Sequence, residues 1–199
     1  MEIILASGSP RRRELLERMG IRKFTVLSTH ADETLEDGLP PAEQVERLSR
    51  RKADAAAAQV DSEALVIAAD TVVAMDGAIL GKPESEDEAF RMLAALSGVR
   101  HQVYTGVTVE RNGKVLTRHE VTSVDFRPLE TEEIELYIAT GECMDKAGAY
   151  GIQGYGALLV EGITGDYYNV MGLPVARLSG MLREFGVDCL KLAAQSGRP

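Results

Sequence analysis

The sequence predicts a mixed α/β fold, with parallel and antiparallel strands in one sheet and helices packed against it. Short apolar segments alternate with amphipathic ones through the first half of the chain, which is typical of βαβ units. Two longer segments rich in β-branched residues are joined by Asn112–Gly113 and therefore predict an antiparallel hairpin. A sheet with both kinds of connection is mixed and not uniformly doubly wound.

The first half of the chain carries clear local signals. Ser9 is a favourable N-cap and Pro10 suits a first helical turn, so a helix is predicted over 10–19. A continuous apolar run over 64–69 predicts a central strand, buried on both faces, that ends at Asp70. The remaining elements of this half are strands over 2–6 and 24–28, helices over 40–59 and 84–96, and a hairpin over 72–80 that turns at 76–77.

The second half contains the long hairpin and a glycine-rich segment. Strands are predicted over 99–110 and 115–126, on either side of the tight turn. Glycines interrupt the segment 141–156 and permit a tight backbone and close approach of a ligand. The remaining elements are helices over 130–139 and 173–185, a strand over 157–163, and a tail over 189–199 that is expected to fray.

Composition and charge exclude several classes of protein. The chain of 199 residues has 22 Lys and Arg against 31 Asp and Glu, and its net charge of −9 is a poor match for a general nucleic-acid binder. Two cysteines are too few for a disulfide framework or a multi-cysteine zinc site. The longest uncharged stretch, 147–160, is too short to span a bilayer, and no signal peptide is evident. We therefore expect a soluble cytoplasmic protein.

The segment 7–13, Ser-Gly-Ser-Pro-Arg-Arg-Arg, has the features of a phosphate-binding turn. The predicted strand and helix meet at Ser7, so free N–H groups and the positive end of the helix dipole lie together there. Arg11 and Arg12 follow, although successive helical side chains diverge by ~100° and at most two of the three arginines can face the turn. The pattern is not a Walker A loop. An ordinary capped surface helix is equally compatible with it.

Two further segments place a carboxylate and a lysine beside predicted strands. Asp70 follows the most apolar strand, and ligands of α/β folds collect at the carboxyl ends of strands. There it could hold a divalent cation or take a proton from water, or it could merely cap a turn. Lys82 stands between Gly81 and Pro83, in a stiff turn from which it could reach a phosphate. An exposed turn lysine is the simpler interpretation of that residue taken alone.

The glycine-rich segment 145–154 combines three kinds of ligand. Asp145 is a metal-type ligand, Lys146 is a phosphate-type ligand, and the amide of Gln153 can read the edge of a base. The apolar and aromatic residues inside the segment, such as Tyr150, argue against a mobile loop. Together with the other segments, this combination predicts metal-assisted hydrolysis of a nucleoside polyphosphate.

These segments closely resemble the motifs of the Maf family. The members of that family are nucleoside triphosphate pyrophosphatases and are also known as septum formation inhibitors. The matching motifs occur in the right order and lie at 5–12, 68–73, 81–83 and 145–154. The resemblance implies a single two-lobed domain over 1–188, similar to inosine triphosphate pyrophosphatase, with the active site in a cleft. It also implies hydrolysis between the α and β phosphates of a nucleoside triphosphate, with Mg²⁺ or Mn²⁺.

The resemblance also implies roles for individual residues. It makes Asp70 the proton acceptor. Arg11, Thr71 and Gln153 occupy the positions that distinguish subfamilies, and this trio is similar to the branch that acts on dTTP and UTP, not to the 7-methyl-GTP branch. The other implied ligands are Ser7, Arg12, Lys52, Lys82 and Lys146 for phosphate, and Glu33, Asp70 and Asp145 for metal.

Three further expectations follow from the resemblance. Cys143 stands where family members commonly have proline, and we expect this difference to tune the loop without changing its ligands. A homodimer is implied. The alternative function is that of a nucleotide-binding regulator of cell division, which acts through a protein partner and for which hydrolysis is incidental.

Overall fold

A seven-stranded mixed sheet forms the centre of residues 1–29 and 31–195, the part of the chain that the computed structural model describes. The strands are β1 Ile3–Ala6, β2 Thr25–Val26, β3 Leu65–Met75, β4 Ala78–Leu80, β5 Arg100–Arg111, β6 Lys114–Phe126 and β7 Val160–Thr164. The α-helices are α1 Pro10–Arg18, α2 Pro41–Ala57, α3 Glu86–Leu96, α4 Thr131–Ala139, α5 Tyr167–Val170, α6 Val175–Arg183 and α7 Cys189–Gln195. None of these helices is long and apolar enough to cross a membrane.

The sheet has the strand order β2-β1-β3-β5-β6-β7, and β4 pairs with the second half of β3. Strand β1 runs parallel to β2 and β3, whereas β3–β5, β5–β6 and β6–β7 are antiparallel pairs. The mixed α/β sheet predicted from the sequence is therefore confirmed. Asn112 and Gly113 both have positive φ angles and form the turn between β5 and β6, as predicted.

Strand β3 is longer than predicted, and Asp70 lies within it and not at its end. Antiparallel pairing with β5 continues without a break from Val66 to Ala74. On the opposite edge, β1 pairs with β3 only as far as Ala68, and β4 pairs only from Val73 onward. Among the described strands, the edge of β3 around Asp70 therefore has no neighbour on this side, and a cleft opens there.

Strands β1 and β3 are buried on both faces, which the continuous apolar run over 64–69 predicted for β3. Side chains alternate between faces along a strand. On one face, Leu5 and Ile67 pack into the larger core with residues of α1, α3 and α6. On the other face, Ile4 and Val66 pack against alanines of α2. The two cores hold β1 and β3 rigidly, and both strands reach the cleft.

Helix α2 approaches the sheet closely because β5 has a glycine beneath it. A Cβ atom on Gly106 would lie 2.1 Å from the carbonyl oxygen of Val45, far inside van der Waals contact. One turn further along α2, Ser49 Oγ lies 3.0 Å from Thr108 Oγ1 of β5. Gly106 is the register partner of Asp70 on β3. The contact that determines the distance between α2 and the sheet therefore lies directly beside Asp70.

The C-terminal segment differs from the frayed tail that the sequence predicted. Residues Cys189–Gln195 form α7, and Cys189 is buried. The helix packs against the end of α1, where a Cβ atom on Gly20 would lie 2.7 Å from the backbone nitrogen of Ala193. This contact joins residues far apart in the sequence, so local patterns did not reveal it. Residues 196–199 of the predicted tail, and His30, lie outside the described residues.

We expect Gly106→Ala to destabilise the protein by about 1–3 kcal/mol, because the new methyl group must push the α2 backbone away from β5. The same displacement would move Lys52 of α2 away from Asp70. The free energy of unfolding in urea measures the first effect, and turnover per folded molecule measures the second.

Gly180→Ala is the matched control for this prediction. Gly180 lies in α6, and a Cβ atom there would meet nothing within 4 Å. This variant should be unchanged or more stable by up to about 1 kcal/mol, because alanine favours helix. Equal stability of the two variants would contradict the tight packing of α2 on Gly106.

Candidate active site

The cleft beside β3 has a volume of about 990 Å³ and collects every side chain that the sequence analysis proposed for substrate or metal. These lining residues are Ser7, Arg11, Arg12, Glu33, Lys52, Asp70, Thr71, Lys82, Asp145, Lys146 and Gln153. They come from the turn after β1, the first turn of α1, the loop before α2, α2 itself, β3, the turn after β4 and the glycine-rich segment. The structure thus brings together segments that are far apart in the sequence.

Arg12 forms the floor of the cleft and is bound to the protein at three nitrogen atoms. Its Nε donates to the carbonyl oxygen of Gly172 at 2.8 Å. Its Nη1 donates to Ser7 Oγ and its Nη2 donates to Thr71 Oγ1, both at 3.0 Å. Burial lowers the pKa of Arg12 from its ordinary value, and the nearby negative charge of Asp70 opposes this effect. Arg12 therefore joins α1, β3 and the turn before α6, in addition to lining the cleft.

The Thr71 hydroxyl is positioned by hydrogen bonds to residues that sequence reasoning missed. Its hydroxyl lies 2.9 Å from Thr105 Oγ1 on β5, and Thr105 in turn donates to the carbonyl oxygen of Asn169 at 3.0 Å. The Asn169 side chain is fully buried and donates to Val103 O and Thr122 Oγ1. No local signal marked these residues, because polar residues of this kind are ordinary in strands and turns. They fix the position of the Thr71 hydroxyl.

Lys52 lies between two carboxylates. Its ammonium group contacts Asp70 Oδ1 and, at 2.7 Å, Glu33 Oε1. Lys52 and Asp70 are each only 13% exposed at the side chain, whereas Glu33 is 61% exposed. The hydrogen bond from Lys52 lowers the pKa of Glu33, and the positive charges of Lys82 and Arg12 act in the same direction. Glu33 is therefore a cleft residue and not an ordinary solvated acid of the loop.

Lys146 and Asp145 form a second pair on the opposite wall. Lys146 Nζ donates to Asp145 Oδ1 at 2.6 Å and to the carbonyl oxygen of Glu142 at 2.5 Å. Partial burial raises the pKa of Asp145, but the hydrogen bond and charge of Lys146 and the charge of Arg11 outweigh it, so the net pKa is lowered. Both walls of the cleft therefore carry a lysine paired with a carboxylate.

Glu142 anchors the glycine-rich segment, and the sequence analysis did not single it out. Its carboxylate accepts hydrogen bonds from the hydroxyl of Tyr137 at 2.9 Å and from the backbone N–H groups of Tyr155 and Gly156 at 2.8 and 3.0 Å. A Cβ atom on Gly154 would lie 2.0 Å from Glu142 Oε2, so a side chain there would displace the Glu142 carboxylate. An acidic residue just before a run of glycines was the only signal available in the sequence.

The middle of the segment is packed into the core, in line with the expectation from its apolar and aromatic residues. Tyr150 and Ile152 are both buried. The Tyr150 ring packs edge-on against Phe126 with centroids 4.7 Å apart, and its hydroxyl lies 2.8 Å from Nε2 of His101. Burial lowers the pKa of His101 to about 4, so this imidazole is neutral at pH 7 and has a structural role. Cys143 is also fully buried in the core.

Two hydrogen bonds close the segment over the cleft. The backbone N–H of Gly148 donates to the carbonyl oxygen of Gly81 at 3.0 Å, which joins the segment to the turn that carries Lys82. At the other end, Gln153 Nε2 donates to Glu14 Oε2 of α1 at 3.1 Å. The segment therefore spans the cleft from the β4 side to the α1 side.

The comparisons with known proteins agree with this geometry. A family model described as Maf-like protein matches residues 2–185. The chain belongs to the Maf family. A dTTP/UTP pyrophosphatase of Moorella thermoacetica is 53% identical over 189 residues, which cover 94% of this chain and 96% of that protein. Another from Pelotomaculum thermopropionicum is 50% identical over 191 residues, which cover 95% and 99%.

A solved structure of a HAM1 protein from Coxiella burnetii shares the fold of this Maf family chain. The two are 16% identical, the match covers 92% of this chain and 99% of that one, and the TM-score is 0.50. At this level of identity the likeness concerns the fold alone. It agrees with the packing of helices on both faces of a long mixed sheet.

We expect Glu142→Gln to loosen the glycine-rich segment of this Maf family chain. The new amide must either place its NH₂ group against backbone N–H groups or leave a donor without an acceptor, which costs about 1–3 kcal/mol. Amide hydrogen exchange at Tyr155 and Gly156 would measure the local effect. Glu135→Gln on the exposed face of α4 is the matched control and should exchange like the wild type. Unchanged protection in Glu142→Gln would refute the anchoring role.

Proposed function

We propose that the protein hydrolyses dTTP and UTP to the nucleoside monophosphate and pyrophosphate. The convergence of every proposed ligand on one cleft carries this proposal. The relatives at about half identity, over nearly their full length, are named dTTP/UTP pyrophosphatases. Those names favour an enzyme over the alternative of a division regulator for which hydrolysis is incidental.

The cations of the cleft would bind the triphosphate. Arg11, Lys82 and Lys146 line the cleft on three different elements, so they can surround a polyanion. Lys52 completes the set from α2. Ser7 and the N–H groups of the turn before α1 add donors at the positive end of the helix dipole. Local placement of these cations allows a chain of net charge −9 to bind an anionic substrate.

The carboxylates of the cleft fit a divalent cation that arrives with the substrate. Asp70 and Glu33 both contact the ammonium of Lys52, so a positive charge already lies between them. Within the described ranges, no group of three His, Cys, Asp or Glu side chains could hold an ion by itself. Mg²⁺ commonly binds one or two carboxylates and completes its shell with phosphate oxygens and water. We propose Asp70, Glu33 and Asp145 as the carboxylates that bind Mg²⁺ or Mn²⁺ directly or through water, and the ion would offset phosphate charge.

Asp70 is proposed as the proton acceptor for the attacking water. It is more enclosed than Glu33 and Asp145, and it lies in β3 within the pairing to β5. In the reaction, the oxygen of water forms a bond to the α-phosphorus. The bond from this phosphorus to the oxygen that bridges the α and β phosphates breaks, and one proton of the water passes to Asp70. Pyrophosphate is the leaving group, and the cations that hold it stabilise its charge.

The proposal also includes a location and an assembly. Hydrolysis of free nucleotides suits a cytoplasmic protein that binds neither nucleic acid nor membranes, and the net charge of −9 supports the first exclusion. A homodimer remains part of the proposal, and light scattering in solution tests it by molar mass.

We expect Asp70→Asn to lower the rate of pyrophosphate release from UTP by about 100- to 10,000-fold, because the amide cannot accept the proton. Substrate should still bind, since the lysines and Arg11 are unchanged. Stopped-time assays of pyrophosphate measure turnover, and titration calorimetry measures binding.

Asp76→Asn is the control for that substitution. It makes the same chemical change in the β3–β4 turn, where Asp76 has a φ of 50°, a conformation that asparagine also tolerates. Its activity should equal that of the wild type. Full turnover in Asp70→Asn would exclude a role for this carboxylate in proton transfer.

We expect removal of divalent ions with EDTA to abolish pyrophosphate release, and added Mg²⁺ or Mn²⁺ to restore it. The physical reason is that the carboxylates of the cleft repel a triphosphate unless a divalent cation lies between them, and this cation would also offset the charge of the phosphates. The thermal unfolding midpoint, measured in parallel, should not fall with EDTA alone, because the fold does not depend on the ion. Undiminished turnover in EDTA would overturn the metal assignment.

A further inference from the structure

Glu14 of α1 contacts Gln153, the side chain whose amide can read the edge of a base. Gln153 lines the cleft, whereas Glu14 is not among the described lining residues. Gln153 Nε2 donates to Glu14 Oε2 at 3.1 Å across 139 positions of sequence. The other oxygen of Glu14 accepts a hydrogen bond from Arg18 Nη2 at 2.5 Å, one helical turn further along α1. Gln153 and Arg18 therefore contact different oxygen atoms of Glu14.

The chemistry of this pair determines the orientation of the Gln153 carboxamide. An ionised carboxylate only accepts hydrogen bonds, whereas a carboxamide has a donating NH₂ end and an accepting carbonyl end. Hydrogen bonds from Gln153 and Arg18 lower the pKa of Glu14, so it is ionised at neutral pH. The NH₂ end must then face Glu14, which directs the carbonyl end of Gln153 away from it.

A carboxamide can pair with two different pyrimidine edges, but only in opposite orientations. Uracil and thymine present the acceptor O4 beside the donor N3–H, whereas cytosine presents the donor N4–H₂ beside the acceptor N3. Rotating the carboxamide by half a turn exchanges its donor and acceptor and so exchanges its preference. That rotation would place the carbonyl oxygen of Gln153 against the carboxylate of Glu14, where two acceptors repel each other.

We propose that Glu14 is a positioning residue for base selection, which locks Gln153 in the orientation that reads uracil and thymine and disfavours cytosine. This inference rests on the proposed function, because it assumes that the base reaches Gln153 in the cleft. Glu14 does not touch the substrate; it acts only through the Gln153 amide.

Glu14→Gln tests the proposal with almost no change of shape. The new amide can donate or accept, so it allows both orientations of Gln153. We expect the ratio of kcat/KM for UTP to kcat/KM for CTP to fall about three- to tenfold, the effect of one hydrogen bond. The gain for CTP should contribute to this fall, and a purely structural role for Glu14 would instead lower both values together.

Two other variants serve as controls. Glu17→Gln makes the same change on an exposed position of α1, and Arg18→Ala removes the ion pair but keeps the contact between Glu14 and Gln153. Both should retain the wild-type ratio. An unchanged ratio in Glu14→Gln, or an equal fall in Glu17→Gln, would overturn the positioning role.

Failure of this inference can be separated from failure of the proposed function. If the wild type releases no pyrophosphate from either nucleotide, the proposed function is wrong. The affinities for UTP and CTP in the Asp70→Asn background, with and without Glu14→Gln, still report base selection by calorimetry. Equal affinity ratios in the two proteins would then refute the role of Glu14.

Discussion

The backbone of α2 crosses the sheet directly above Gly106, and any side chain there would collide with the carbonyl group of Val45. This close approach places Lys52 beside Asp70, the register partner of Gly106 on the neighbouring strand. A carboxylate on a central strand, flanked by buried apolar residues, is costly unless a cation accompanies it. The packing of a helix against one glycine therefore allows an ionised group to exist at the centre of the sheet.

The cleft itself follows from the strand pairing. Strand β3 belongs to both parts of the sheet, since β1 pairs with its first residues and β4 with its last. The gap between β1 and β4 leaves the edge around Asp70 open. The turn after β1 and the turn after β4 border this gap, and the glycine-rich segment covers it through the contact between Gly148 and Gly81. The residues proposed to bind phosphate and metal meet here because the neighbour of β3 changes from β1 to β4 at this point.

In the structure, the two most enclosed lysines of the cleft already have carboxylate partners. Lys52 is paired with Asp70 and Glu33, and Lys146 is paired with Asp145. A triphosphate with a divalent ion offers the opposite charges to both members of each pair. In the proposed function, substrate binding would therefore exchange partners, with lysine moving to phosphate and carboxylate to the ion, without leaving a buried charge uncompensated. The charge of Glu14 acts in a similar way on Gln153, because it determines which end of that neutral carboxamide faces it.

The sequence by itself determined the buried strands, the helix starts and the tight turns, because these depend on local patterns of apolar residues, glycine and proline, and it singled out the polar residues that line the cleft. It placed Asp70 at a strand end, and it did not reveal the anchoring by Glu142, the contact between Glu14 and Gln153, or the packing of α7. Each of those depends on which distant segments are neighbours. Strand pairing and helix height are set by the collective packing of the core, so only the tertiary structure decided them.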